Sequence, residues 1–179
     1  MLIGRKKQQA ELRDAYNSDD SKFVALYGRR RVGKTYLVKQ TFKDEFTFFH
    51  SGLANGSLQE QLYGWRSSLE DAGLQVPSSP KHWLEAFDML KELIRQSSAK
   101  KKVIFIDNPF GAAKDVYIWE PIFKLLRSNN VQLIVPARGA TPAITGHFEV
   151  NYILGQKLID GRQQTVVVDY RSQTEESEL

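Results

Sequence analysis

Short apolar runs alternate along the chain with longer stretches in which apolar residues recur every third or fourth position. Phe23-Val24-Ala25-Leu26-Tyr27 is compact, apolar and partly aromatic, and it stops at Gly28, which predicts a buried strand. After a turn, residues 34–40 suit a helix. Phe46-Thr47-Phe48-Phe49-His50 predicts a second strand, with Gly52 and Gly56 marking a loop beyond it. From Ser57 onward, Leu58, Leu62, Trp65 and Leu69 fall at the spacing of one helical face. Val76-Pro77-Ser78-Ser79-Pro80 breaks that pattern, and Trp83, Phe87, Leu90 and Ile94 then form the stripe of another helix. Val103-Ile104-Phe105-Ile106 predicts a third strand ending at Asp107. Residues 116–127 read as a helix that Pro121 must either start or kink, and Val131-Gln132-Leu133-Ile134-Val135 as a fourth strand halted by Pro136. Residues 150–154 and 165–170 are further strand candidates, and Gly161 between them lets them pair as a hairpin.

Strands alternating with helices predict an α/β domain in three layers, with a mainly parallel central sheet and a C-terminal β-hairpin. At 179 residues the chain fits one domain of ordinary size, here residues 1–170, followed by a polar tail over 171–179. Hydrophobic residues make up 41% and charged residues 26%, which excludes a disordered or fibrous chain. The absence of cysteine rules out disulfides, thiolate metal sites and a cysteine nucleophile. No apolar run approaches the roughly 20 residues of a spanning helix, and no leader pattern opens the chain, so the expectation is a cytoplasmic protein without a membrane partner. The net charge of +4 is front-loaded: through Asp107 there are 18 Lys and Arg against 13 Asp and Glu. Such a surface attracts nucleotide phosphate or nucleic acid.

The strongest chemical signal is Gly28-Arg29-Arg30-Arg31-Val32-Gly33-Lys34-Thr35, a match to G-x-x-x-x-G-K-[ST] placed directly after an apolar strand and opening a helix. Its glycines permit a tight loop whose backbone N–H groups turn around phosphate oxygens, and the helix start adds partial positive charge. In that reading Lys34 reaches the β- and γ-phosphates and the Thr35 hydroxyl ligates Mg²⁺. Asp107, 73 residues after Lys34 at the end of a neighbouring apolar strand, is the second metal candidate. Asn108 follows it. An amide can orient water but cannot take its proton, so nucleotide binding with slow or absent hydrolysis is expected. His50, His82 and His147 lack metal-ligand spacing, and there is no Gly-x-Ser-x-Gly elbow.

Residues 2–107 resemble the archaeal-type ATPases of the AAA+/STAND group of P-loop NTPases, through Leu2-Ile3-Gly4-Arg5, Glu11-Leu12, Tyr27 to Thr35 and Val103 to Asp107. That resemblance implies ATP as ligand and makes Ile3, Gly4 and Arg5 candidate base- or ribose-side contacts. Beyond Asp107, Asn108-Pro109-Phe110-Gly111-Ala112-Ala113, Trp119-Glu120-Pro121, residues 131–139 and Asn151 to Gln156 resemble the carboxy-terminal end of SMC-like chromosome-segregation ATPases. This second resemblance implies a partner-subunit loop over 111–115, a homodimer, and Arg138 in Pro136-Ala137-Arg138 as a phosphate sensor; the candidate catalytic set is therefore Lys34, Asn108 and Arg138. Neither pattern is complete. The glutamate after the aspartate, the polar sensor and helical lid of the first group are absent, as is the Ser-Gly-Gly signature of the second, where Ser97-Ser98-Ala99-Lys100-Lys101-Lys102 stands instead. The chain reads as a composite joined near residues 103–108. Three functions remain open on sequence: an ATP/Mg²⁺-binding domain, a DNA-associated interaction module, and a folded but inert fusion.

Overall fold

A computed structural model describes residues 6–28, 32–107, 116–137, 148–159 and 162–169. The elements run α1 (Lys6–Asn17), β1 (Lys22–Gly28), α2 (Lys34–Phe42), β2 (Phe46–Ser51), α3 (Leu58–Asp71), α4 (Trp83–Gln96), β3 (Lys102–Asp107), α5 (Val116–Arg127), β4 (Val131–Ala137), β5 (Val150–Ile159) and β6 (Arg162–Asp169). Six strands form one sheet in the order β2-β3-β4-β1-β5-β6. The first five are parallel, and β6 closes back antiparallel on β5 as the expected hairpin. The result is a three-layer α/β fold of P-loop-like form.

Alternation along the strands builds the two outer layers. Phe23, Ala25 and Tyr27 of β1 face one side, with Phe48, Ile104, Ile106, Leu133 and the apolar stripes of α3, α4 and α5. Val24 and Leu26 face the other, with Val103, Phe105, Ile134, Leu12 of α1 and Leu37, Val38 and Phe42 of α2. Period-two alternation with both faces covered is what a central parallel sheet requires. Trp83, Phe87, Leu90 and Ile94 are all buried, as the helical stripe predicts, and so are Leu62, Trp65 and Leu69. Leu58 opens α3 but is exposed.

Two features depart from the sequence expectations. The strand β4 lies between β1 and β3, so Asp107 ends the next strand but one from Gly28 rather than an adjacent one. The β3–α5–β4 crossover inserts β4 into that gap, a choice of strand order that apolar patterning does not encode. Pro136 does not halt β4, which continues to Ala137 paired with β1. Its ring lies past the last β3 pair, Phe105 with Ile134, where a missing N–H costs that ladder nothing. The helix α5 spans Val116–Arg127 as expected, with Pro121 inside it, the second of the two places the sequence left open.

The helix α1 escaped the sequence reading altogether. Eight of its twelve residues are polar, and it buries only Leu12. Distant residues hold it. Arg13 donates to Glu45 and to the Thr41 carbonyl, and Gln132 donates to the Leu12 carbonyl at 3.0 Å. The Lys101 ammonium, 6% exposed, donates to the carbonyls of Ala15, Ser18 and Asp20 and to the Ser18 hydroxyl, gathering the C-terminal end of α1. Among the described residues no helix is long and apolar enough to cross a membrane. Strands from before and after residue 108 interleave: β4 stands between β3 and β1, and β5 flanks β1 on its other side.

Candidate functional site

The loop after β1 begins in a conformation that needs glycine. Gly28 has φ 141° and Gly33 φ 76°, both in the region where a Cβ is strained. Gly33 is also the N-cap of α2, and having no side chain it supplies no capping acceptor. The other long helices are closed differently. Ser57 and Glu60 form a reciprocal capping box on α3, and the His82 ring accepts from the Glu85 N–H on α4. No acidic residue lies in the first turn of α2, so the helix start keeps its positive end towards the loop.

Lys34 and Thr35 occupy that first turn. The Lys34 ammonium donates to the Gly28 carbonyl at 2.7 Å, tying the end of the loop to its beginning. The Thr35 hydroxyl donates to an oxygen of the Asp107 carboxylate at 3.0 Å. Because β4 separates β1 from β3, the start of α2 must cross its end to make this contact, a span of roughly 10 Å at two inter-strand spacings. Two chemistry-bearing positions 72 residues apart in sequence thus meet at the C-terminal edge of the sheet, where ligands of open α/β sheets characteristically sit. The main chain at Asp107 is fixed as well, since its carbonyl accepts from the Gly52 N–H at 2.8 Å. Gly52 was read only as a loop marker, and nothing in its local sequence announces this link.

Of the residues singled out from sequence, Gly28, Val32, Gly33, Lys34, Thr35 and Asp107 are therefore placed together on one edge. Ile3, Gly4, Arg5, Arg29, Arg30, Arg31, Asn108 and Arg138 lie outside the described residues, as does the 111–115 loop. Among the described residues no three His, Asp or Glu side chains converge as a self-sufficient metal cage. Glu149 is engaged elsewhere. It accepts from the Phe23 N–H at 2.8 Å and pairs with Arg127; burial pushes its carboxyl pKa up, but those bonds win and hold it below the ordinary value.

A comparison with known protein families finds none that matches the chain. Curated relatives do. One is an uncharacterized ATP-binding protein of Methanocaldococcus jannaschii, 38% identical over 45 residues, which are 25% of this chain and 76% of that protein. Over that stretch the chain belongs to its family. Another, an uncharacterized protein of the same archaeon, is 23% identical over 94 residues, or 52% of this chain. The match covers only 20% of that second protein's length.

Proposed function

We propose that residues 1–170 form a single nucleotide-binding domain that takes ATP with Mg²⁺ in the Gly28–Thr35 loop and hydrolyses it slowly or not at all. The observation that carries this reading is the Thr35–Asp107 hydrogen bond at the mouth of a glycine-gated strand-to-helix loop. A strand-to-helix turn can arise in many folds, but a hydroxyl from the start of α2 and a carboxylate from the end of β3 form a hard, all-oxygen donor pair. That pair suits magnesium, which takes few protein ligands and completes its shell with phosphate oxygens and water. Thr35 and Asp107 are thus the residues that would hold the ion, which when bound supplies neutralisation of charge spread over the phosphates. The archaeal relative with ATP-binding in its name supports the choice of nucleotide.

Each remaining group has a task the chain itself can perform. Lys34 exchanges its bond to the Gly28 carbonyl for β- and γ-phosphate oxygens, so the ammonium is already held beside the loop before ligand arrives. The positive end of α2, which has no side-chain cap, favours the same anion. Arg29, Arg30 and Arg31 add positive charge along the loop, and Ile3, Gly4 and Arg5 contact the base or ribose. Asn108 orients water without accepting its proton, which leaves turnover slow. Arg138 senses the terminal phosphate.

Thermal unfolding with and without ATP and Mg²⁺, paired with a phosphate-release assay, tests both halves. A ligand specific for the native state must raise the unfolding temperature. The wild type should be stabilised, the Lys34→Ala variant should not, and phosphate release should stay near background. Rapid release abolished by Lys34→Ala would overturn the assignment of Asn108.

A further inference from the structure

The edge strand β2 ends beside Asp107, and its last residue carries a hydroxyl. In the β2–β3 ladder Phe48 lies opposite Ile104, Phe49 opposite Phe105, His50 opposite Ile106 and Ser51 opposite Asp107. Opposed residues in a parallel ladder point to the same face, and the contacts confirm it pair by pair. Phe48 and Ile104 belong to the cluster under α3 and α4. Phe49 and Phe105 stack at 4.6 Å between ring centroids on the α2 side. His50 returns to the α3 side against Trp65, with ring centroids 4.9 Å apart. The next step of the alternation puts Ser51 on the α2 side with Asp107, the face from which Thr35 reaches that carboxylate. Side chains opposed in this way have Cβ atoms roughly 5 Å apart. The Gly52 N–H bond to the Asp107 carbonyl locks the register at this last pair. Ser51 is exposed, and its side chain makes no hydrogen bond among the described residues.

We infer that Ser51 is a third oxygen donor of the magnesium site, holding a water of the ion's shell alongside Asp107. This rests on the nucleotide reading above. A hydroxyl both donates and accepts, so it can orient a metal-bound water towards the carboxylate. Thr35 and Asp107 alone place their oxygens on one side of the site; Ser51 extends the set to the side of the outermost strand. It acts through water, and is a positioning residue rather than a catalytic one.

Calorimetric titration with ATP, run once with Mg²⁺ and once with EDTA on wild type, Ser51→Ala and Ser51→Thr, tests the assignment. Loss of one hydrogen bond to a metal-bound water should weaken magnesium-dependent ATP binding about fivefold in Ser51→Ala. Binding in EDTA should not change, and Ser51→Thr, which keeps the hydroxyl on a β-branched side chain suited to a strand, should restore the wild-type value. Wild-type magnesium-dependent binding that is equal in Ser51→Ala overturns the role of Ser51 while leaving the nucleotide site standing. An equal loss with and without magnesium also overturns it, because the residue would then touch nucleotide rather than the ion's shell. No ATP binding by the wild type overturns the nucleotide reading, and this inference with it.

Discussion

Acidification should destabilise this protein through one histidine. His50 is 1% exposed and stacks between Phe48 and Trp65. Its Nδ1 lies 2.9 Å from the Ser68 hydroxyl, and that hydroxyl spends its only proton on the Gly64 carbonyl at 3.1 Å. Ser68 can therefore only accept from the ring, which assigns the proton to Nδ1 and leaves a bare lone pair on Nε2. Among the described residues Nε2 is buried without a partner. A second proton there would find no acceptor among them, and burial pushes the pKa down to about 4 from 6.5. The unfolded chain takes the proton first, so the stability is fully present above pH 6.5 and drains away as pH falls towards 4. That gap corresponds to roughly 3 kcal/mol, of which about 2 kcal/mol falls between about pH 7.5 and pH 5. Urea unfolding across that range, on wild type and His50→Leu, isolates the effect because the other ionisable groups are common to both. The wild type should lose about 2 kcal/mol more than the variant on acidification. Parallel pH profiles for the two proteins would refute the reasoning.

Other perturbations have similarly local causes. Replacing Lys101 by Met strips donors from three carbonyls and the Ser18 hydroxyl at the end of α1; a loss of roughly 2–3 kcal/mol is expected in chemical denaturation, with faster amide exchange in α1 than elsewhere. Trp65→Ala removes a fully buried ring packed against Phe48, Trp83 and Phe87, together with the hydrogen bond its indole N–H gives the Ala86 carbonyl at 3.0 Å. A cost of about 3–5 kcal/mol follows, enough to consume much of the stability of a small domain, and a denaturation midpoint close to wild type would contradict the packing described.

The strands and the loop were legible because each is specified locally. Five apolar residues ending in glycine make β1, and the G-x-x-x-x-G-K-T spacing identifies the turn that follows it. The buried stripes of α3 and α4 show for the same reason, being periodic within one window. What sequence hid was set by residues far apart. The helix α1 has a single buried side chain and is held by Glu45, Lys101 and Gln132, which no window around it contains. The hairpin reaches further than its apolar core, β5 running to Ile159 and β6 starting at Arg162, because ladder pairing carries Gln156, Lys157, Gln163 and Gln164 along with it. The partnership of Thr35 with Asp107 was foreseeable from their residue types, but not the strand that stands between them. Ser51 was missed because a serine closing an aromatic strand has no signature; only the register against β3 gives it meaning.

The central claim is that one loop and one carboxylate hold ATP with magnesium. Equilibrium titration of ATP into wild type, Lys34→Ala and Asp107→Asn, each with Mg²⁺ and with EDTA, tests it most directly. The wild type should saturate at a single site, Lys34→Ala should lose binding under both conditions, and Asp107→Asn should lose only the magnesium-dependent gain. Wild-type protein that fails to saturate, or that binds ATP undiminished after Lys34→Ala, would contradict it.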